Sequence, residues 1–134
     1  MSAPAETRSE ALTEGLRVTV RARHSPEHSD PEHSQWFFLY TIRLRNESSE
    51  TCQLLSRHWV IRSGSGKVEE VRGPGVVGEQ PVLEPGDEYE YTSGCPLDTP
   101  FGSMEGSYQM VWESGGGFDA EVARFELRQP TALH

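Results

Sequence analysis

Gly73-Pro74-Gly75-Val76-Val77-Gly78-Glu79-Gln80-Pro81-Val82-Leu83-Glu84-Pro85-Gly86 rules out a helix through the middle of the chain. Each proline lacks a backbone N–H and clashes with the preceding turn of a helix, while glycines in this density mark positive φ or close backbone approach. Gly73-x-Gly75-x-x-Gly78 has the outward form of a dinucleotide fingerprint. That fingerprint needs a helix directly after its glycines, so that the helix N-terminus faces the pyrophosphate. Pro81, Pro85 and Gly86 remove that helix. Two readings remain: a tight loop between strands, or a concavity of backbone N–H groups that holds a diphosphate or nucleotide. In the second, Gly73, Gly75 and Gly78 supply the cradle, and Arg57 and Arg72 supply the charge.

Outward from this stretch the chain alternates with a period of two. Leu16, Val18, Val20 and Ala22 interleave with Arg17, Thr19, Arg21 and Arg23, the pattern of a half-buried strand. Trp36 to Arg45 places Phe38, Tyr40, Ile42 and Leu44 on one face and reads as a central strand. Cys52 to Arg62 carries Leu54, Leu55, Trp59 and Ile61, and Lys67 to Arg72 reads as a short or bulged edge strand. Leu83-Glu84-Pro85-Gly86-Asp87-Glu88-Tyr89 has the layout of a tyrosine corner, with Tyr89 bonding back to upstream backbone. Met104, Gly106, Tyr108, Met110 and Trp112 alternate through a further strand, and Phe118 to Leu127 closes the sheet after Gly115-Gly116-Gly117. No segment shows a helical period. The expected fold is all-β, an antiparallel β-sandwich of about seven to eight strands. It spans residues 15–128, with a mobile N-terminal tail at 1–14 and a C-terminal tail at 129–134.

The 134 residues have room for one domain, and a formal net charge of −9 argues against non-specific binding to nucleic acid or anionic membrane. Cys52 and Cys95 lack C-x-x-C spacing and are too few for a secreted disulfide framework, which fits a reducing, cytoplasmic setting. No run is long and apolar enough for a signal peptide or a membrane span.

His24-Ser25-Pro26-Glu27-His28-Ser29-Asp30-Pro31-Glu32-His33-Ser34 repeats Pro-Glu-His-Ser and reads as a loop. His24, His28 and His33 among carboxylates are candidate ligands for zinc, cobalt or nickel, and a divalent-ion binder acting on cobalt or magnesium would use that loop or the acidic Glu84 to Glu90 run. The alternative is a solvated polar loop with no cofactor. A search for catalytic machinery finds no G-x-S-x-G, H-E-x-x-H or Walker pattern. Cys95 and His58 form the one conceivable pair, so the expectation is a protein that is not an enzyme.

Arg57-His58-Trp59-Val60-Ile61, the glycine stretch, Leu83-x-Pro85-Gly86, Tyr91-Thr92-Ser93-Gly94 and Thr99-Pro100-x-Gly102-x-Met104-x-Gly106-x-Tyr108 together resemble the bacterial ApaG family. The resemblance runs from about Leu16 to Leu127. It implies an immunoglobulin- or fibronectin-III-like sandwich, a cytoplasmic location and no established enzymatic activity. It also implies an association with cobalt resistance and magnesium efflux, and use as an interaction module in some eukaryotic F-box and polymerase-interacting proteins. The partners this leaves open are another protein, a diphosphate or nucleotide, and a second copy of the chain. Exposure of Trp36, Phe37 or Leu39 would favour the first.

Overall fold

The computed structural model describes residues 6–130 and contains two antiparallel sheets packed face to face. The first has the order β1 (Thr7–Thr13), β2 (Leu16–His24), β3 (Trp36–Asn46), β7 (Glu88–Leu97). In the second, β5 (Val68–Pro74), β4 (Cys52–Ser63), β8 (Phe101–Trp112) and β9 (Gly117–Arg128) lie side by side, and the two-residue β6 (Val82–Leu83) also pairs with β4. The sandwich therefore follows from the alternation. Leu16, Val18, Val20, Phe38, Ile42 and Leu44 are all buried on the inner face of the first sheet. Trp59, Tyr108, Met110, Val122 and Phe125 meet them from the second. His24 ends β2, and the loop beyond it folds into 3₁₀ turns at Pro26–His28 and Pro31–His33.

The N-terminal boundary is corrected. Residues 7–13, expected in a mobile tail, form β1 in register with β2 from Thr7↔Ala22 to Thr13↔Leu16. They have little apolar surface to bury, and hydroxyls do the work instead. Thr7 Oγ1 donates to the Glu126 carbonyl, Ser9 Oγ donates to the Ala123 carbonyl at 2.7 Å, and Glu121 N donates to Thr13 Oγ1 at 3.1 Å. These contacts tie β1 of one sheet to β9 of the other. Gln129, expected in the C-terminal tail, is also held, by Gln129 N to the Pro100 carbonyl at 2.8 Å and by Trp36 Nε1 to its Oε1 at 3.2 Å. The rest of both expected tails, residues 1–5 and 131–134, lies outside the described residues.

The tyrosine corner is corrected as well. Among the described residues nothing accepts from or donates to the Tyr89 hydroxyl; Asn46, fully buried, organises that corner instead. Its Nδ2 donates to the Glu50 and Leu83 carbonyls at 2.8 and 2.9 Å, and its Oδ1 accepts from Ser48 N at 2.9 Å and Ser48 Oγ at 2.6 Å. Its backbone adds Asn46 N to the Asp87 carbonyl and Gly86 N to the Asn46 carbonyl. Tyr89→Phe is accordingly expected to leave the melting temperature within about 1 °C of the parent, because no buried hydrogen bond is lost. A fall of several degrees in a calorimetric scan would restore the corner to Tyr89.

Candidate functional site

The glycine stretch proves to be an excursion within one sheet edge. β5 leaves β4 at Pro74, opposite Ser56, and β6 rejoins the same edge at Gln53 and Cys52. A β-bulge in β4 between Leu54 and Ser56 lies at the gap. Gly75 N and Gln80 Nε2 both donate to the Leu55 carbonyl there, at 2.8 and 2.9 Å. Val76 and Glu79 exchange two backbone hydrogen bonds of 2.8 Å, closing a tight turn over Val77 and Gly78. Gly75 is required: its φ is +61°, and a Cβ there would sit 2.3 Å from the Glu79 carbonyl oxygen. Val76 is fully buried between the sheets.

This closure places the candidate anion residues. The N–H groups of Gly75, Val76 and Glu79 are engaged within the turn or to β4, so they do not form an outward cradle. Gly73 is paired with Arg57 in the sheet. Arg57 reaches carbonyls rather than amides, its Nη1 donating to Pro74 O at 3.0 Å and Gly75 O at 2.8 Å. Arg72 stands opposite His58, one residue out of phase with Arg57 and therefore on the other face of the sheet. Arg57 and Arg72 border one outer depression with Ser56, His58, Gln109 and Asp119. The Arg57 guanidinium lies over Gly73, 3.1–3.3 Å from where a Cβ would stand, whereas Arg72 projects from the opposite face of the sheet.

The candidate metal ligands are likewise apart. His24 Nε2 lies 3.1 Å from Ser29 Oγ, His28 Nδ1 lies 2.7 Å from Ser25 Oγ, and His33 Nδ1 lies 2.7 Å from Asp30 Oδ2. Burial draws the pKa of His24 down, opposed by Glu27. Among the described residues no three His, Cys, Asp or Glu side chains gather to hold an ion. In the acidic run, Glu88 is paired with Arg43 and Arg45, and Asp87 caps Glu84 N at 2.9 Å. Cys95 and His58 do not meet either. His58 Nε2 is 2.7 Å from Glu70 Oε1 on the outer face, whereas burial in the other sheet pushes the Cys95 thiol up to about 12. Such a thiol is protonated and inert at neutral pH.

What the fold does assemble is a cleft. On one long side β1 and β9 are stapled together. On the other, β5 and β7 are both edge strands, and among the described residues no backbone hydrogen bond joins them. Between them opens a cleft of about 340 Å³ lined by Tyr40, Arg57, Trp59, Ile61, Tyr91 and Met104, with Val77 and Glu69 on its rim. Sequence reasoning missed it because the β4 bulge reverses the alternation. Cys52 and Leu54 face inward before the bulge, and Arg57, Trp59 and Ile61 face inward after it. The apolar surface expected on the outer face is partly covered: Phe37 packs over Gly94, and Trp36 bonds Gln129. Val77, by contrast, is 55% exposed and holds a φ of +42°, a strained conformation for a β-branched residue.

Comparison with known proteins places this architecture. The family model described as DUF525, ApaG domain, matches residues 26–112. The chain belongs to the ApaG domain family. Protein ApaG of Nitrosospira multiformis is 56% identical over 119 residues, covering 89% of this chain and 94% of its own. Protein ApaG of Bordetella pertussis is 51% identical over 119 residues, with 89% and 91% covered. A crystal structure of a Bordetella pertussis protein superposes with a TM-score of 0.83 at 51% identity, covering 86% of this chain and 94% of its own. The family model ends at Trp112, so this ApaG chain's β9, which closes one side of the sandwich, lies beyond the matched span. Among the described residues no helix is long and apolar enough to cross a membrane.

Proposed function

We propose that this ApaG-domain chain is a non-enzymatic binding module of the cytoplasm that docks a protein partner along the open side between β5 and β7. Through that partner it would act on cobalt resistance and magnesium efflux, the association that the ApaG resemblance implies. The observation that carries the docking side is the asymmetry of the sandwich: hydroxyl staples close one long side, while the other presents two edge strands around an aromatic cleft. Edge strands offer unpaired backbone groups to an incoming chain, and aromatic clefts bury its side chains.

Val77 supplies the test. Asparagine tolerates left-handed φ far better than valine, so Val77→Asn is expected to stabilise the fold by about 0.5–1 kcal/mol. It also strips the apolar rim of the cleft. A partner recovered from cytosol with the parent protein should therefore be lost from a variant that melts at or above the parent temperature. Equal recovery by both proteins would move docking off this side.

A further inference from the structure

The inter-sheet cleft contains more hydrogen-bond donors than the protein accepts from. Arg57 Nη1 is fixed by the Pro74 and Gly75 carbonyls, but among the described residues nothing accepts from its Nε or Nη2. No carboxylate of the described residues pairs with it either, on a chain whose formal net charge is −9. Trp59 is a second unsatisfied donor. No described residue accepts from its Nε1, yet no buried side-chain nitrogen or oxygen lacks a partner, so this N–H reaches solvent through the cleft that Trp59 lines. The third is a phenol. Tyr91 and Tyr108 bond to each other through their hydroxyls, which uses one of their two protons. Tyr108 is 1% exposed and Tyr91 lines the cleft, so the remaining O–H is directed there when Tyr108 donates to Tyr91. Burial raises the pKa of both phenols, so both keep their protons at neutral pH. Tyr40 and Ser93 place two more hydroxyls along the same wall.

We propose that this cleft is a receptor for a carboxylate carried on an apolar or aromatic body, with the carboxylate against Arg57 and the body against Trp59, Ile61 and Met104. It rests on the reading of the open side as the docking side and names the chemistry docked there. The free edge of a guanidinium matches a carboxylate in a bidentate fork. A single negative charge is what one unpaired arginine balances; a diphosphate would bring surplus charge into an acidic protein and a cleft with one cationic side chain. Glu69 on the rim does not oppose this. It pairs with Ile61, four residues along β4 from Arg57, or about 13 Å at the rise of a strand. The ligand's apolar body occupies that interval. A free small acid and the C-terminal carboxylate of a protein partner share this chemistry.

The test uses the unmodified chain and purified probes. N-acetyl-phenylalanine and its carboxamide are titrated against the protein, with backbone amide and indole N–H shifts followed by NMR. The acid is expected to bind about 10- to 100-fold more tightly than the amide, the difference of a charge-assisted hydrogen-bonded pair. The Trp59 Nε1–H resonance should move with it. Arg57→Gln should abolish the preference for the acid. Should that variant lose the dispersed spectrum of a folded chain, Tyr91→Phe takes its place and should reduce the preference several-fold. Acetyl-Ala-Ala-Ala-Phe with a free terminus distinguishes the sources: binding at least tenfold tighter than the single residue assigns a chain terminus, and equal binding assigns a small acid. Equal affinity for acid and amide, no shift at millimolar probe, or a preference that survives in folded Arg57→Gln overturns the proposal. A failed titration with Val77-dependent partner capture intact removes the carboxylate and leaves the docking side. Partner capture indifferent to Val77→Asn removes the docking side, whatever the titration gives.

Discussion

Trp59→Ala is expected to lower the unfolding free energy by about 3–5 kcal/mol, the cost of deleting a large buried aromatic. Trp59 is 3% exposed and sits at the centre of an aromatic cluster, edge-on to Tyr40 at 5.6 Å and to Tyr108 and Phe125 at 6.1 Å. These rings come from β3, β8 and β9, so the indole joins both sheets where the cleft would otherwise hollow the sandwich. Removing it extends the cleft into the core, and strands held by their ladders cannot collapse to refill the space. Against a typical domain stability of 5–15 kcal/mol, such a loss brings the variant near the edge of folding. Trp59→Phe keeps a ring in place and should cost about half as much. Urea titration with an unchanged slope checks both, and a loss below about 1 kcal/mol for the alanine variant would show that Trp59 is not what joins the sheets.

The same residue shows how much of this protein was legible in its sequence. Strands β2 and β3 were plain because their apolar residues repeat every second position and one face of each is buried without interruption. Trp59 was legible as core by size alone. The side chain two residues before it was not: Arg57 faces inward because the bulge between Leu54 and Ser56 shifts the phase, and a bulge leaves no mark in composition. The candidate cleft was hidden for that reason. β1 was hidden for another, since Thr7, Ser9 and Thr13 bind by hydroxyl-to-backbone bonds to a strand more than 100 residues away. Hydropathy cannot register such a contact. Of the two readings of the glycines, the tight turn between strand segments describes the backbone from Gly75 to Glu79, but its partners were not foreseeable, because Val76, with its strand-like side chain, is what anchors the turn in the core.

Asn46→Asp is expected to be about as damaging as the loss of Trp59, although it changes one atom. Asn46 Nδ2 donates to the Glu50 and Leu83 carbonyls, so a carboxylate there would set a negative oxygen against two carbonyl oxygens in a fully buried site. The site is closed to bulk solvent, and the described arginines nearest in sequence, Arg43 and Arg45, are engaged with Glu88 on the outer face. Burial and carbonyl repulsion would raise the folded-state pKa of the new carboxyl by about 2–3 units, or about 3–4 kcal/mol at neutral pH. The sign of the pH dependence follows. Below the unfolded value of about 3.9 both states are protonated and the charge penalty is absent; it grows as pH rises toward the folded value and is constant above it. Asn46→Ala removes all four side-chain bonds, the two donated by Nδ2 and the two accepted by Oδ1, without adding charge, so its destabilisation should be nearly the same at every pH. Denaturant titrations of both variants between pH 3 and 8 separate the two cases. An Asn46→Asp curve parallel to that of Asn46→Ala would mean that the carboxylate finds a donor, and that the corner is held by the backbone bonds of Asn46 rather than by its amide.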